Sequence, residues 1–310
     1  MTQALAPIHE VEIVEVGPRD GFQPIGPFIP TEQKLGFVDG AAKAGLRRIE
    51  IGSFVSAKAV PQMADTPELL QRIGTADGLL PQVLVPTYKR GVEALAAGAP
   101  MIAFVLSVSE AHNRNNVRQS PGESADAYGE LMQATPAHIP VRLNLATSLD
   151  CPFDGRVAPD EVLALLERLV PMRPDAEVCL CDTTGRAAPA EVRRLFAQAR
   201  SAFPDVRHWA LHAHDTYGRG VANVFAAFEE GVRVFDAAMG GLGGCPFAPG
   251  ATGNVATEDL VSMFDRMGVS TGVTVDALVP LANRAAALPG AQAGGQVRHV
   301  VRQMETTIPG

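Results

Sequence analysis

The composition of this chain describes a soluble globular protein. It has 310 residues, of which 46% are hydrophobic and 19% charged, and its formal net charge is −8. Acidic and basic residues are interspersed without a basic run, which argues against a nucleic-acid-binding or membrane-binding surface. The longest apolar stretches are as long as a strand and too short to cross a bilayer. A chain of this length can form one large α/β domain or two smaller ones.

The N-terminus and the cysteines predict the compartment. The opening residues MTQALAPIHEVEIVEVG are typical of neither a signal peptide nor a transit peptide. The four cysteines match no zinc-ribbon spacing, and the pair two residues apart differs from a redox CxxC motif; they are Cys151, Cys179, Cys181 and Cys245. We therefore expect reduced thiols in a cytoplasmic protein.

In chain order, the sequence repeats one pattern, in which a short β-rich run precedes a segment with helical periodicity. The predicted strands are 11–17, 47–53, 82–86, 101–107, 141–147, 177–183, 209–215 and 234–240. Clear helical segments are 31–45, 123–134, 159–170, 189–200 and 220–231. First-turn prolines and closing glycines mark helix boundaries, namely Pro159, Pro189, Gly45, Gly98 and Gly231.

Eight strand–helix units predict an α/β fold of the (β/α)8 TIM-barrel type. A doubly wound open sheet is the alternative that the same pattern allows. We assign residues 1–270 to the barrel and residues 271–310 to a C-terminal extension that packs on or near it. The stretch from Pro289 contains the glycine-rich AQAGGQ, which is typical of a mobile segment or a lid rather than of a second domain.

The seventh predicted strand ends in two histidines, His212 and His214. Residues two apart on a strand point the same way, so both imidazoles can converge on one ion. An isolated HxH also fits one solvent-facing and one core histidine. In a barrel, however, this strand end lies near two other segments. One is the RDG turn (residues 19–21) after the first predicted strand, and the other is the loop after the eighth predicted strand, 234–240. Asp20 and Asn254 would then join the histidines in a divalent-metal site.

Further polar residues stand at or just beyond the predicted strand ends. Glu50 has apolar neighbours, which favours an inward carboxylate that needs a partner, and Arg19 is the obvious one. Asp182 fits either a catalytic carboxylate or the cap of the next helix, and the sequence leaves both open. Cys245 lies in a glycine-rich loop that can move over a substrate. Gln23 and Asn144 also occupy this rim.

Five stretches of the chain resemble the hydroxymethylglutaryl-CoA lyase family, within a superfamily of metal-dependent TIM-barrel lyases and Claisen-type synthases. They are VEVGPRDGFQ, IEIGSFVSAKAVPQMAD, CDTTGRA, LHAHDTYGRGVANVFAAFEEGV and GGLGGCPFAPGATGNVATEDLV. The RDG and HxH elements occur across the superfamily. The cysteine-bearing glycine loop is more specific, because the condensing synthases carry a different loop there. They also usually continue into a C-terminal regulatory region. The resemblance therefore indicates a lyase.

The resemblance implies retro-Claisen cleavage of an acyl-CoA substrate, 3-hydroxy-3-methylglutaryl-CoA, to acetyl-CoA and acetoacetate, as in leucine catabolism. Mg²⁺ or Mn²⁺ would be held by Asp20, His212, His214 and Asn254. Arg19, held by Glu50, would stabilise the enolate oxygen, and Cys245 would protonate the enolate carbon. Asp20, His212 or a ligand-linked water remains open as the base. The remaining site predictions are Asp182 as catalytic, and Gln23, Asn144, Cys179 and Thr183 as substrate-binding. We also expect a homo-oligomer.

Three positions depart from the family pattern. We expect tyrosine at Asn144, serine at Cys179, and a polar, lysine-bearing stretch where this chain has PIGPFIP. All three cluster around the acyl pocket rather than the metal. They keep open a lyase acting on a citramalyl-CoA-like or longer-branched 3-hydroxyglutaryl-CoA substrate. A condensing synthase that runs the same enolate chemistry in reverse is the further alternative.

Overall fold

Eight parallel strands close into a barrel in the computed structural model, which describes residues 11–74, 78–244 and 252–300. Each predicted strand segment contributes one barrel strand. The strands are β1 (Glu12–Glu15), β2 (Arg48–Ser53), β3 (Leu80–Val85), β4 (Ile102–Ser107), β5 (Val141–Ala146), β8 (Glu177–Asp182), β9 (Trp209–Ala213) and β10 (Val234–Ala237). The remaining strands, β6 (Asp150–Cys151) and β7 (Gly155–Arg156), form a short antiparallel hairpin that the sequence analysis did not predict.

Closure of the barrel depends on β1, which pairs in parallel with both β10 and β2. In the register, Val14 lies opposite Asp236 on one side and Arg48 on the other. A doubly wound open sheet leaves two edge strands, so that alternative is wrong. The prediction of a (β/α)8 barrel is confirmed.

Helices surround the barrel between its strands. They are α1 (Thr31–Lys43), α2 (Thr66–Ile73), α3 (Tyr88–Ala96), α4 (Glu110–Val117), α5 (Pro121–Ala134), α6 (Pro159–Leu169), α7 (Pro189–Ala202), α8 (Gly220–Glu229), α9 (Thr257–Arg266) and α10 (Val275–Ala286). Pro159 and Pro189 open α6 and α7 as predicted, where the missing N–H costs no helical hydrogen bond. Among the described residues, no helix is long and apolar enough to cross a membrane.

A buried ion pair lies in the barrel interior. Arg48 on β2 forms two hydrogen bonds with the Glu177 carboxylate on β8, one of them 2.9 Å long. Because β2 and β8 are separated by three other strands in the barrel order, this contact reaches across the interior. Both side chains are buried, and pairing offsets the cost of removing their charges from water.

The stretch after the RDG turn is anchored by buried polar groups. The Gln62 amide donates to the carbonyls of Ile25 (2.8 Å) and Pro27 (2.5 Å) and accepts from the backbone N–H of Ile29 (3.1 Å). Lys34, only 1% exposed, donates to the Gln62 carbonyl and to Asp65 at 2.7 Å. The PIGPFIP segment is thereby held in one conformation against the loop between β2 and α2.

The C-terminal residues pack against the barrel. Helix α10 contacts α1, α9 and the short turn Met239–Gly241 after β10. Farther along, the Gly294 backbone N–H donates to the Gly240 carbonyl at 2.8 Å. A Cβ on Gly241 would lie 3.0 Å from Gly294 Cα, so the absence of a side chain at Gly241 allows the two backbones to approach closely. The chain around Gly294 therefore lies beside Gly240 and Gly241, where the glycine-rich loop after β10 begins.

Candidate active site

Asp20, His212 and His214 meet at the carboxyl-terminal end of the barrel. His212 lies in β9, and His214, just beyond it, forms a bridge with Asn254. The Nε2 atoms of His212 and His214 lie 4.0 and 3.6 Å from Asp20 Oδ2. The three potential ligand atoms lie within 4.8 Å of one another. The strand-end argument thus predicted their convergence correctly.

A tight turn, Gly17–Gly21, presents Arg19 and Asp20 to this cluster. The backbone N–H groups of residues 19, 20 and 21 all reach the Val16 carbonyl, at 3.1, 2.7 and 3.3 Å. A Cβ on Gly17 would lie 2.5 Å from Glu15 Oε1, and one on Gly21 would lie 2.8 Å from Leu242 Cβ. Both glycines are therefore required for the turn to pack this closely.

Glu15 holds the RDG turn to the loop that follows β10. Its carboxylate accepts from the backbone N–H groups of Gly17 (2.8 Å) and Met239 (2.9 Å) and from the Thr257 hydroxyl (2.7 Å). Burial raises the pKa of Glu15 to about 7 in spite of these hydrogen bonds. The turn after β1 and the loop after β10 are thus joined by a buried carboxyl group.

Replacing Glu258 with glutamine is expected to stabilise the protein at pH 8 and to change little at pH 5. Glu258 is buried, accepts from the Gly240 N–H at 3.0 Å, and has its pKa raised by burial from 4.5 to about 7. The unfolded chain loses this proton first, so stability falls as the pH rises from 4.5 towards 7. A shift of this size corresponds to at most about 3 kcal/mol. Urea denaturation at both pH values measures the gain, and an equal effect at both would contradict it.

Arg19 lies between two carboxylates. Its Nε donates to Glu50 and its Nη1 to Asp20, while Gln82 donates to the other Glu50 oxygen at 2.6 Å. Burial opposes the charged guanidinium, but the charges of Asp20 and Glu50 outweigh it and raise the pKa of Arg19. The expected Arg19–Glu50 pair is present, and it fixes a permanent positive charge beside the cluster.

Asn254 lies beside Asp20 in the same cluster. Its Nδ2 donates to Asp20 Oδ2 at 2.8 Å and to the Leu242 carbonyl at 3.0 Å. Its Oδ1 is buried and makes no hydrogen bond to any described residue. A buried acceptor without a partner is costly. The amide nitrogen is the atom that faces Asp20, and the unpartnered Oδ1 is an oxygen donor of the kind that suits a divalent cation beside one carboxylate and two imidazoles.

The protonation states of Asp20 and His214 fit a metal site. Burial favours the neutral carboxyl of Asp20, but Arg19 and the two histidines outweigh it and hold its pKa well below the ordinary value. Burial lowers the pKa of His214. Burial opposes the charge on His212 as well, but Asp236 and Asp20 raise its pKa. Near pH 7, Asp20 is therefore a carboxylate and His214 a neutral imidazole, the forms that bind metals.

The predicted substrate-binding residues lie at different depths of the barrel, and Cys179 is fully buried within β8, where its Sγ accepts from Arg142. Gln23 is exposed, and its backbone N–H donates to the Arg19 carbonyl at 3.0 Å. Asn144 on β5 lies opposite Cys179 on β8 in the register. The Thr183 hydroxyl accepts from the Thr147 backbone N–H at 2.8 Å, which joins the loops after β5 and β8.

Asp182 lies apart from the metal cluster. Its buried carboxylate accepts from the Ala187 backbone N–H at 3.4 Å and from the Asn223 amide at 3.3 Å. Burial raises its pKa to about 6. These partners lie before α7 and within α8, which agrees with the structural alternative to a catalytic role. Cys245 lies outside the described residues, between Gly244 and Thr252.

Two charged residues near the site were missed by the sequence analysis. Asp236 on β10 contacts His212, and Arg142 on β5 contacts Asp236. Each is a charged residue within an apolar strand, the same signal that identified Glu50. Applied to every strand, that signal would have found both residues.

Comparison with known proteins places this arrangement among acyl-CoA lyases. The family model described as HMGL-like matches residues 10–284. A hydroxymethylglutaryl-CoA lyase from Pseudomonas mevalonii is 41% identical over 284 residues, covering 91% of this chain and 94% of that protein. The Bacillus subtilis HMG-CoA lyase structure has a TM-score of 0.90 and 35% identity, covering 95% of this chain and 98% of that one. An HMG-CoA lyase from Acinetobacter baumannii, in complex with coenzyme A and 3-methylmalate, has a TM-score of 0.89 and 37% identity, covering 100% and 99%.

Proposed function

The chain belongs to the HMGL-like family, and on that premise we propose that it cleaves 3-hydroxy-3-methylglutaryl-CoA to acetyl-CoA and acetoacetate. One observation carries this proposal. The metal-type cluster of Asp20, His212 and His214 lies directly beside the carboxylate-held Arg19. A retro-Claisen reaction needs both parts, because one activates a hydroxyl group and the other stabilises an enolate.

We assign the metal to Asp20, His212, His214 and Asn254. When bound there, Mg²⁺ or Mn²⁺ would lower the pKa of the substrate's tertiary hydroxyl group. The ligand chemistry favours these ions, because Asp20 and Asn254 supply hard oxygen donors. The two imidazoles are also compatible with other transition metals, so metal analysis of the purified protein decides which ion is loaded.

The chain's residues then remove the hydroxyl proton of the substrate and stabilise the enolate that forms when the C2–C3 bond breaks. A base at the cluster, Asp20 or a ligand-linked water, removes the hydroxyl proton; His212 is not free for this step, because its Nδ1 faces Asp236 and its Nε2 is assigned to the metal. As the C3–O bond becomes a carbonyl, the C2–C3 bond breaks and its electron pair passes to C2 and the thioester oxygen. The Arg19 guanidinium, held by Glu50, stabilises the charge on that oxygen.

Cys245 returns a proton to C2 of the enolate and thereby completes acetyl-CoA. A thiol suits this step because its reference pKa of about 8.5 keeps it largely protonated at neutral pH. Gln23, Asn144 and Thr183 are assigned to contacts with the acyl-CoA, whereas the Cys179 thiol is fully buried and accepts from Arg142. For Asp182, the hydrogen bonds to Ala187 and Asn223 support a structural role instead.

A panel of acyl-CoA thioesters tests the substrate. Purified protein with Mg²⁺ or Mn²⁺ is expected to release acetoacetate and acetyl-CoA from hydroxymethylglutaryl-CoA, as read by mass spectrometry. A citramalyl-CoA-like or longer-branched 3-hydroxyglutaryl-CoA belongs in the panel, because Asn144 and Cys179 are neighbours in the register and both depart from the family pattern. Cleavage of such a relative without release of acetoacetate would contradict the assigned substrate.

We further propose a cytoplasmic location and a homo-oligomer. The cysteines at 151, 179 and 181 form no disulfide, which supports a reducing compartment. Some curated relatives are named cytoplasmic and others mitochondrial. Cell fractionation tests the location, and light scattering of the purified protein tests the assembly.

A further inference from the structure

The His212 ring is held by a carboxylate on the side away from the cluster. Its Nδ1 lies 3.0 Å from Asp236 Oδ2, while its Nε2 is the atom nearer Asp20. A carboxylate only accepts hydrogen bonds, so Nδ1 carries the proton. The Nε2 lone pair is thereby left for the ion.

Asp236 is in turn held by Arg142. The Arg142 Nη1 lies 2.8 Å from Asp236 Oδ1, the carboxylate oxygen that does not face His212. Strands β5 and β10 are not neighbours, because β8 and β9 separate them. This contact therefore crosses the barrel interior, and both residues are buried.

Arg142 has little freedom to turn away. Its Nη2 donates to Cys179 Sγ at 2.8 Å, and its Nε lies 3.3 Å from Glu177 Oε1. Glu177 is fixed by its two hydrogen bonds with Arg48. The guanidinium is thus oriented by one hydrogen bond, to Cys179 on β8, and by ion-pair contacts with Glu177 on β8 and Asp236 on β10. A lysine has a single charged nitrogen and could not reach these partners at once.

His214 lacks such support within the described part of the chain. Its Nδ1 is buried and makes no hydrogen bond there. Its position comes from the bridge with Asn254 and from its approach to Asp20. The two histidines therefore differ, and only His212 is tied to the ion-pair network of the barrel interior.

We infer that Asp236 and Arg142 are positioning residues that hold His212 in its Nδ1–H tautomer and aim its Nε2 at the metal. The inference rests on the metal site of the proposed function. A carboxylate that accepts from a ligand histidine fixes the ring and raises its basicity, and its loss typically weakens metal binding about 10- to 100-fold. The network therefore connects metal affinity to the barrel interior.

Metal titration of variants tests this inference. Asp236→Asn is expected to raise the dissociation constant for Mn²⁺ about 10- to 100-fold, and Arg142→Lys by a smaller factor. Asp65→Asn is the matched control, because it also neutralises a buried aspartate with a cationic partner, Lys34 at 2.7 Å, remote from the ligands. It should leave Mn²⁺ affinity unchanged. Wild-type affinity in Asp236→Asn, or an equal loss in the control, would overturn the inference.

A second measurement needs no variant of the network. Long-range ¹H–¹⁵N NMR on the histidine-labelled, metal-free protein, recorded at a pH where the His212 ring is neutral, should show its proton on Nδ1, with its signals assigned by their loss in His212→Gln. A neutral ring with its proton on Nε2 would overturn the inference. If the wild-type protein binds no ion at the cluster, the metal site and this inference both fail. If the wild-type protein binds Mn²⁺ and the Asp236→Asn variant binds it with the same affinity, only this inference fails and the metal site stands.

Discussion

Replacing Asp20 with asparagine is expected to lower metal affinity by about 10²-fold or more, beyond the loss typical of an outer-shell partner, and to abolish measurable turnover. The substitution keeps the shape of the side chain but removes the charge that faces both histidines. It also leaves Arg19 with Glu50 as its remaining carboxylate partner. Isothermal titration with Mn²⁺ measures the binding, and release of acetoacetate measures the turnover.

Asp215→Asn is the matched control for Asp20→Asn. Asp215 lies next to His214 in sequence, but its carboxylate accepts from the Gly220 N–H at the start of α8, at 2.7 Å. Asparagine can still accept from the Gly220 N–H, so the lost charge at the start of α8 should cost at most about 1 kcal/mol of stability and leave metal affinity unchanged. Retention of wild-type affinity by Asp20→Asn would remove that residue from the ligand set.

Replacing Arg19 with glutamine is expected to lower kcat by about 10²- to 10³-fold, the effect of losing one donor to a developing oxyanion. The charge would be missing where the thioester oxygen becomes negative, and glutamine cannot restore it. Steady-state kinetics at saturating metal and substrate separate this loss from weaker binding. An unchanged kcat would show that Arg19 does not stabilise the enolate.

Glu50→Gln provides the graded comparison for Arg19→Gln. The amide keeps an acceptor for Arg19 Nε, so the guanidinium retains one orienting contact while the paired charge is lost. We expect a smaller loss of kcat, about 10-fold. Equal losses of kcat in the two variants would mean that the Arg19 guanidinium stabilises the enolate oxygen only while it is paired with Glu50.

The barrel and the cluster could be predicted because both follow from short-range rules. The strand period of two places His212 and His214 on one face, and barrel geometry collects the strand ends at one rim. Asp20 and Asn254 follow from the same rule, since β1 neighbours β10 after closure. These steps need no knowledge of side-chain contacts.

The network behind His212 could not be predicted in the same way. The Arg142–Asp236 contact joins strands that are not neighbours, so it depends on the tilt and register of the whole barrel. The β6–β7 hairpin escaped prediction for another reason, because its two-residue strands are too short to show alternation.

Asp182 shows how alternation constrains a site prediction. Cys179 and Asp182 are three residues apart on β8, so their side chains point to opposite faces. Cys179 contacts Arg142 inside the barrel, whereas Asp182 contacts Asn223 of α8 outside it. The same period, applied to the sequence alone, would have separated Asp182 from Cys179.

Metal-dependent release of acetoacetate tests the proposed lyase activity together with its metal site. The wild-type protein is stripped with a chelator and titrated with Mn²⁺, while bound Mn²⁺ and acetoacetate formed from hydroxymethylglutaryl-CoA are measured in the same samples. We expect no turnover in the stripped protein. Turnover should then rise in proportion to the Mn²⁺ occupancy of the site, up to one ion per chain. Full turnover without metal, or one ion bound per chain without any acetoacetate, would contradict this expectation.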